Sequence, residues 1–538
     1  MINIKLSYTP VVDFLRHYSQ LLVIVLLSII SAAYFTVFFT SGLSLAYNDA
    51  RSHLDIGRRV VEGLKPGLAQ LGSVWLPLTH LLMAPTIWND FMWHSGLAGS
   101  IQSMVAFVAT GFIIYKFLEK LQVGLFGRWV GVAIFVANLN VLYLQSTAMT
   151  ELPLLATMTV GCYYLLVWHK DEQILDLIKA AFWIMLSTLI RYDGWFLIAV
   201  SALLVFWHAL RKRGFKVAEG TAILFCTLSG FGIFLWLLWN QLIFKDALYF
   251  ALGPFSAHAQ QAQLAEAGNL ITKQNIWLSI KVYFYALLYN SYTFPSLLAV
   301  IGAVVLWCDK KLSSGLRLAT TALLAPLAFN ILALFTGFSV LFVQGISGNT
   351  WFNVRYGVML LPSIAIFIGY LVDRVRSLRW VIVGLLAFVL FFAFTSADAV
   401  TVDDARVGSS QKNVSEVAGY LQQHAANSTD LILISAASHD AIIFSSGLPM
   451  KRFIHEGTGA YWDAATTNPD HWVRWIVMRT HDTNDLTWKF VSPTPGFAYY
   501  QLVDHYPFAD VYELKPEYLD NLQPVKFTGK EKNSTIFR

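Results

Sequence analysis

The sequence predicts an all-α polytopic membrane bundle of about eleven transmembrane helices, followed by a smaller soluble α/β domain. Its 538 residues are 56% hydrophobic and 15% aromatic, far more apolar than a soluble enzyme of this length. Long apolar segments recur up to about residue 397, and a polar, charged composition begins near Ser396. We therefore predict a membrane domain over residues 1–397 and an extracytoplasmic domain over residues 398–538.

The predicted spans follow from segment length, because crossing about 30 Å of hydrocarbon takes roughly 20 apolar residues in a helix. The first segment, Leu21 to Thr40, lacks a small-residue cleavage site and is therefore interpreted as a retained span rather than a signal peptide. The other ten segments lie near residues 97–116, 128–145, 153–168, 177–190, 195–210, 218–243, 291–307, 317–336, 355–372 and 380–397.

Basic residues alternate between the two sides of these spans, as expected if positively charged loops stay in the cytoplasm. Lys5 and Arg16 precede the first span and place the N-terminus in the cytoplasm, and an odd number of spans then places the C-terminal domain outside. The predicted inner loops carry the following basic residues: Lys116, Lys120, Arg128, Lys170, Lys179, Arg211, Lys212, Arg213, Lys216, Lys310, Lys311, Arg317, Arg374, Arg376 and Arg379.

The stretch from Tyr47 to Pro85, on the outer side, is unusually rich in charge for this chain. Residues Asp49 to Leu64 can form an amphipathic helix lying on the bilayer surface, and Asp49 and His53 then share a face because they are four residues apart. The simpler alternative is a solvated interfacial helix without chemistry. Basic residues on the disfavoured outer side are nevertheless better candidates for a substrate role than those inside.

Three further outer segments carry charge beside a predicted span. Glu151 precedes the fourth span and is either a helix cap or a site residue. Arg191 and Asp193, in the turn RYDGW, form either an internal ion pair or part of a site. Arg355 lies at the start of the tenth span, where a lone arginine commonly reaches toward lipid headgroups. Two arginines on the same predicted face, Arg191 and Arg355, are harder to explain in this way.

The C-terminal region has the pattern of a small α/β layer. A helix is predicted around Ser415 to Ala425 and a strand over Leu431 to Ala436, with later apolar runs at residues 475–478, 499–503 and 511–514. No glycine-rich phosphate loop follows the first strand, and the three cysteines give neither a disulfide framework nor zinc-ligand spacing. The net charge of +5 is modest, and we expect no nucleic-acid partner.

The placement of the charges narrows the class of function. No predicted span carries an acidic or basic residue at mid-depth, which argues against a pump or a proton-coupled carrier. An outer-face carboxylate with nearby arginines suits a lipid-linked phosphate substrate. Arginine binds phosphate through paired hydrogen bonds, and a carboxylate accepts the proton of an attacking hydroxyl.

Five motifs resemble those of a known superfamily. In order, they are YNDARSH, GLAQLGSVWLPLTHLLMAP, TELPL, RYDGW and FNVRYGVMLLP. The ordered set is similar to the GT-C superfamily of polytopic glycosyltransferases, and more closely to the bacterial proteins related to protein O-mannosyltransferases and the aminoarabinose transferase of lipid A. The resemblance covers roughly the first 400 residues and implies a GT-C-like bundle in a bacterial or archaeal cell membrane.

The resemblance also implies roles for particular residues. Asp49 matches the catalytic acidic residue of the first outer loop, and the second acid often found beside it is missing here, so His53 or Asp55 could substitute. Arg191 and Arg355 match candidates for holding the donor phosphate. The predicted substrate-binding set is His53, Asp55, Glu151, Arg191, Tyr192, Asp193, Arg355 and Tyr356.

The implied reaction transfers a sugar from a polyprenyl-phosphate donor to a lipid, glycan or protein acceptor, with membrane lipids around the bundle. A divalent metal cofactor is an open question, because Asp49, His53 and Glu151 could supply ligands but their spacing is not diagnostic. The alternative reading is a lipid-linked saccharide translocase, or a membrane protein that binds headgroups without transferase activity.

Overall fold

The structure is a computed structural model that describes residues 9–254, 256–266, 268, 270–408 and 411–523. Lys5, the side chain of Arg16 and the last fifteen residues of the predicted second domain lie outside this description. Residues 9–400 are mostly helical, and a five-stranded sheet follows near the C-terminus. The predicted fold class, a helical membrane bundle with an α/β domain, is confirmed.

The helices of the membrane bundle and its loops differ widely in length. They are α1 (Thr9–Thr40), α2 (Asn48–Val61), α3 (Leu78–Met83), α4 (Asp90–His94), α5 (Leu97–Lys120), α6 (Leu125–Val136), α7 (Leu139–Leu144), α8 (Glu151–Asp171), α9 (Ile174–Thr188), α10 (Asp193–Arg213), α11 (Phe215–Phe244), α12 (Tyr249–Leu252), α13 (Ala257–Glu266), α14 (Ile276–Ser291), α15 (Thr293–Cys308), α16 (Ser314–Ala319), α17 (Ala325–Thr336), α18 (Leu361–Arg374) and α19 (Arg379–Thr395).

All eleven predicted spans are helical, but they are not equally long. Within the described ranges, eight helical segments are long and apolar enough to cross a membrane, and α14 with α15 forms a ninth candidate bent by 107°. The remaining two segments are short: α9 has 15 residues, and the predicted span 128–145 is divided between α6 and α7. Length and composition thus make this chain an integral membrane protein.

Two local features explain the broken segments. Asn138 stops α6 and starts α7, because its side chain accepts a hydrogen bond from the backbone N–H of Val141 at 3.1 Å. Tyr292 separates α14 from α15 with a φ of 63°, a left-handed conformation that ends one helix and redirects the chain into the next. At each break the chain ends one short helix and begins another inside the bundle.

Small residues allow the helices of the bundle to approach closely. A methyl group at Gly302 of α15 would lie 2.2 Å from the carbonyl oxygen of Phe367 on α18. At Gly127 of α6 it would lie 2.6 Å from the carbonyl oxygen of Gly369, also on α18. Such contacts between backbones are typical of membrane bundles, where van der Waals packing replaces the hydrophobic drive of water.

The C-terminal domain contains a mixed sheet with the strand order β2-β1-β3-β5-β4. Strands β1 and β2, and β1 and β3, are parallel, whereas β5 runs antiparallel to both β3 and β4. The strands are β1 (Leu431–Ile434), β2 (Phe453–Ile454), β3 (Val473–Met478), β4 (Tyr500–His505) and β5 (Asp510–Leu514), and the helices are α20 (Val400–Gly408), α21 (Gln411–Ala425), α22 (Ala436–Ser445), α23 (Ala460–Thr467) and α24 (Leu486–Val491).

Helix α2 connects the bundle with the C-terminal domain. It packs against α22, and Arg59 pairs with Asp440 at 3.3 Å through both guanidinium nitrogens. Most of its side chains are buried, including the charged Arg51, Asp55 and Arg58. The amphipathic helix predicted from sequence is therefore present, but it is enclosed by protein on several sides instead of being a solvated helix on the bilayer.

Candidate active site

The guanidinium of Arg355 is the centre of a charged cluster at the end of the bundle where α2, α8 and α10 begin. Its Nη2 donates to Oδ2 of Asp49 at 2.6 Å, and its Nε donates to Oε1 of Glu151 at 3.0 Å. Arg355 begins the helical stretch before α18, Asp49 lies in the first turn of α2, and Glu151 is the first residue of α8. Three distant segments thus meet at one buried arginine.

Arg191 extends the cluster from the turn between α9 and α10. Its Nη1 lies 3.3 Å from Oε1 of Glu151, and its Nε donates to Oδ2 of Asp193 at 3.3 Å. One oxygen of Glu151 therefore accepts from both arginines. The ion pair within RYDGW exists as the simpler reading predicted, and it is also part of the larger cluster.

Gly194 makes this turn tight enough to hold Arg191 in place. A methyl group at Gly194 would lie 2.5 Å from the carbonyl carbon of Ser187, at the end of α9. Only a residue without a side chain allows the two helices to meet so closely here. The glycine of RYDGW thus sets the position of the arginine that precedes it.

Aromatic rings cover the two guanidinium groups. The Tyr356 ring lies 4.5 Å from Cζ of Arg191 and 5.4 Å from Cζ of Arg355, and the Tyr47 ring lies 4.9 Å from Cζ of Arg355. Cation–π contacts of this kind stabilise desolvated cations and fix the plane of the guanidinium. Tyr356, a member of the predicted substrate-binding set, is therefore in direct contact with both arginines.

A fourth carboxylate of the cluster comes from α20, which follows the last predicted span in the sequence. Asp404 on α20 is buried, lies 3.8 Å from Nη1 of Arg355 and accepts a hydrogen bond from the hydroxyl of Tyr47 at 3.1 Å. Sequence reasoning assigned no role to Asp404 or Tyr47. The acidic pair in TVDDAR, directly after the last span on the outer side, is the signal that could have drawn attention to it.

The carboxylates of the cluster differ sharply in accessibility. The side chain of Asp49 is 43% exposed, whereas that of Glu151 is fully buried. The Oε2 atom of Glu151 has no hydrogen-bond partner among the described residues. The cluster holds four carboxylates and two guanidinium groups, namely Asp49, Glu151, Asp193, Asp404, Arg191 and Arg355. Asp49 is thus the carboxylate that a substrate can reach.

His53 lies beside the cluster without pairing with a carboxylate in it. Its Nδ1 is 2.8 Å from Nε2 of His80, and its ring packs 4.3 Å from that of Trp75. Burial, and then the positive charges of Arg355 and Arg191, lower the pKa of His53 to about 3. A neutral His53 can donate or accept a hydrogen bond at physiological pH, but it cannot provide a positive charge.

Asp55 has different neighbours from Asp49. Its Oδ1 accepts from the indole Nε1 of Trp93 at 2.9 Å, and the carboxyl group faces Asp440 of the C-terminal domain. Burial, and then the charge of Asp440, raise the pKa of Asp55 well above its usual value of 3.8. These contacts place Asp55 at the junction with the C-terminal domain, whereas Asp49 is bound to Arg355. The substitution of Asp55 for the missing second acid therefore has no support in its contacts.

Tyr192 lines the outer turn but points away from the carboxylates. Its hydroxyl donates to the carbonyl oxygen of Val74 at 3.3 Å, and its ring stacks with that of Phe250 at 5.8 Å. Both contacts tie the turn between α9 and α10 to neighbouring loops. A substrate-binding role for Tyr192 stays a prediction.

The residues named as candidate metal ligands do not form a metal centre. Asp49 and Glu151 are both bound to Arg355, and His53 is bound to His80. In the part of the chain that the structure describes, no group of three or more histidine, cysteine or acidic side chains is arranged to hold a metal ion. The donor set therefore does not fit a divalent cation in this geometry.

The fold and the spans define the class: the chain is a polytopic membrane protein whose fold is similar to that of solved GT-C glycosyltransferases, the resemblance that its motif order predicted. It is similar to ArnT from Cupriavidus metallidurans bound to undecaprenyl phosphate, with a TM-score of 0.54 and 10% identity over 92% of this chain and 99% of that chain. The apo form of that ArnT gives a TM-score of 0.50 and 11% identity over 92% of this chain and 100% of that chain.

The apo oligosaccharyltransferase of Archaeoglobus fulgidus is also similar, with a TM-score of 0.48 and 10% identity over 86% of this chain and 70% of that chain. No protein-family model matches the sequence, and no curated protein matches it. At identities this low, the likeness to ArnT concerns the fold.

Proposed function

We propose that this protein is a membrane glycosyltransferase that moves a sugar from a polyprenyl-phosphate donor to an acceptor hydroxyl on the extracytoplasmic face. The observation that carries the proposal is the pairing of one accessible carboxylate with a buried arginine. Asp49 is 43% exposed and lies 2.6 Å from Nη2 of Arg355, whose own side chain is 6% exposed. A base and a phosphate-binding cation are thereby adjacent at the membrane surface.

A polyprenyl-phosphate donor suits this position in the bundle. Its phosphate would lie at the depth of the arginines while its chain remains in the bilayer, and guanidinium groups bind phosphate through two parallel hydrogen bonds. ArnT, which shares the fold, has been solved with undecaprenyl phosphate bound. This likeness supports a lipid-linked donor, and the identity of the sugar is left to experiment.

Donor binding and activation of the base are coupled in this proposal. Arg355 already binds Asp49 and Glu151, so an incoming phosphate has to compete with a carboxylate for the guanidinium. Asp49 is the carboxylate that can move, because it is exposed and Glu151 is fully buried. Binding of the donor phosphate to Arg355 then frees Asp49 to accept a proton.

The chemical step is a single inverting displacement. Asp49 takes the proton of the acceptor hydroxyl while the hydroxyl oxygen forms a bond to the anomeric carbon of the sugar. The bond between that carbon and the phosphate oxygen breaks, and its electron pair leaves with the polyprenyl phosphate. Arg191 and Arg355 stabilise the negative charge that grows on this leaving group.

The first prediction concerns Asp49→Asn in the purified full-length protein. Removing the base should lower the release of polyprenyl phosphate from a labelled donor by about 10²–10⁴-fold. Donor affinity should stay equal or increase, because a negative charge next to the phosphate site is lost. Release is followed by thin-layer chromatography of the labelled lipid, and donor affinity by equilibrium binding in detergent.

Asp90→Asn is the matched control for Asp49→Asn. Asp90 is an exposed carboxylate of the same outer region and pairs with Arg58 at 2.5 Å, outside the cluster. Its replacement should leave release unchanged. Full activity of Asp49→Asn would refute the assignment of the base. Movement of the intact sugar-loaded lipid across the bilayer, with no release by the wild type, would instead favour the translocase.

A further inference from the structure

A cavity lined by basic and aromatic side chains lies at the end of the bundle opposite the candidate active site. It has a volume of about 370 Å³ and lies where α10 and α15 end and α16 begins. Helix α10 connects the two ends: it has 21 residues, starts at Asp193 in the active-site cluster and ends at Arg213. A helix of this length spans about 30 Å, so the cavity is separate from the arginine cluster.

Three cations line this cavity, and two of them have no acidic partner. Lys212 lies 3.4 Å from Glu172, which also pairs with Arg213 at 2.6 Å. Among the described residues, no carboxylate lies within 4.0 Å of the guanidinium of Arg211 or Arg317. The positive charge of these two arginines is therefore available to an anion.

Arg317 is held in position by part of its hydrogen-bonding capacity. Its Nη1 donates to the carbonyl oxygen of Trp307 at 3.0 Å, while its buried Nε has no hydrogen-bond partner within the described protein. A buried donor without a partner costs free energy unless a ligand or solvent accepts from it. Arg317 is thus both fixed and incompletely satisfied.

Two tryptophans give the cavity an amphipathic wall. The guanidinium of Arg211 lies 4.5 Å from the centre of the Trp207 ring, and the ring of Trp307 forms part of the lining beside Arg317. Trp207 is 45% exposed, so the wall continues onto the outer surface of the bundle. Indole rings with adjacent cations are typical of the zone where headgroups meet hydrocarbon.

We infer that this cavity binds a phosphate group, carried either by a membrane lipid headgroup or by a soluble phosphate compound. The volume lies within the range of ligand sites, and a guanidinium group binds phosphate oxygens through two hydrogen bonds. The hydroxyl of Ser314 lines the same space and is a further hydrogen-bonding group. The inference does not depend on the proposed transferase activity, because it uses none of the residues of the outer cluster.

The test compares two lipids that differ in the phosphate and two double variants that differ in position. Phosphatidic acid and the matching diacylglycerol are titrated into purified full-length protein in detergent, and binding is measured by native mass spectrometry. The double variant Arg211→Ala/Arg317→Ala removes the two cations of the cavity that have no acidic partner. Lys310→Ala with Lys311→Ala removes two exposed cations from the nearby loop and is the control for general electrostatic attraction.

We expect the wild type and the lysine variant to prefer phosphatidic acid by about tenfold or more, and the arginine variant to lose this preference. Arg211→Gln alone, at an exposed helix end where folding should be preserved, should weaken the preference as well. Displacement of phosphatidic acid by millimolar inorganic phosphate would identify a soluble compound as the source, whereas resistance to it would identify a lipid. The inference is overturned if the wild type shows no preference, or if both double variants lose it equally.

Discussion

At the scale of a single residue, Glu151 is the anion that the two arginines of the cluster share. Its fully buried carboxylate stands between two arginines, with Oε1 at 3.0 Å from Arg355 and 3.3 Å from Arg191. Two guanidinium groups so close to each other would repel strongly in this environment without an anion between them. In the proposed site, Glu151 is therefore a positioning residue that holds the two arginines together.

The second prediction tests this role with Glu151→Gln. The amide keeps the shape of the side chain but removes the buried carboxylate that both arginines share, which should cost about 3–5 kcal/mol of unfolding free energy. The change is measured as a lower midpoint of thermal unfolding in detergent. Glu172→Gln is the control, because Glu172 also joins two basic residues but is partly exposed at the other end of the bundle. It should cost at most about 1 kcal/mol.

Equal midpoints for the two variants would contradict the structural role of Glu151. Unchanged stability of Glu151→Gln would mean that the two arginines move apart when the carboxylate is removed. Recovery of the Glu151→Gln midpoint by added inorganic phosphate would support the view that an anion normally occupies this position, since a ligand that binds the folded state stabilises it.

At the scale of secondary-structure elements, α2 presents different charges to its two neighbours. Asp49 at its start meets Arg355 of the bundle, and Asp55 and Arg59 meet Asp440 on α22 of the C-terminal domain. Residues 49 and 55 are about 120° apart around the helix axis, so they cannot face the same partner. Helix α2 thus contacts both the C-terminal domain and the charged cluster.

The third prediction concerns the pH dependence of this contact. Burial raises the pKa of both Asp55 and Asp440, and at Asp55 the neighbouring Asp440 charge raises it further. A carboxyl whose pKa is raised by folding stabilises the folded state below its usual pKa of 3.8, and this contribution is lost as the pH rises through the folded-state value. The opposing Arg59 and the donor Trp93 reduce the effect without reversing its direction.

Asp55→Asn should therefore stabilise the protein more at pH 8 than at pH 5. The amide retains an acceptor for the indole N–H of Trp93 but cannot ionise beside Asp440. Midpoints of thermal unfolding at the two pH values measure the effect. The exposed Asp90→Asn should show no such difference, and a pH-independent effect of Asp55→Asn would refute the shared burial of the two carboxyl groups.

At the scale of the whole molecule, one end of the bundle carries the C-terminal domain and the arginine cluster, and the other carries the phosphate-binding cavity. The orientation of the bundle in the membrane is predicted from its basic loops, because such loops favour the cytoplasmic side. This arrangement predicts that α2, α4 and the C-terminal domain all lie outside the cell, while the loop containing Lys310 lies inside.

The fourth prediction tests this orientation by cysteine labelling. In a variant with Cys162, Cys226 and Cys308 replaced by alanine, Asp90→Cys and Gln422→Cys should react with a membrane-impermeant maleimide in intact cells. Lys310→Cys should react only after permeabilisation, and it is the control for access. Labelling of all three positions from the same side would contradict the topology.

The helical segments of this protein could be predicted from hydropathy, because a span needs a long apolar run that is visible in any window of the sequence. The assignment of loops to the outer side rests on their basic residues and stays a prediction. The distinction between a continuous span and a broken one did not follow, because single residues such as Asn138 and Tyr292 decide it. Composition is insensitive to such local caps and turns.

What the sequence by itself determined is the set of helical segments and the presence of Asp49, Glu151, Arg191 and Arg355 beside their ends, whereas the side of the membrane on which these residues lie stays a prediction. Only the tertiary structure decided that Asp49 bonds to an arginine 306 residues away, that Asp404 joins them and that Asp55 does not. The physical reason is the distance along the chain over which each kind of signal acts. Hydropathy and charge bias act on each segment separately, whereas the partners of a buried charge depend on how helices from distant parts of the chain pack together.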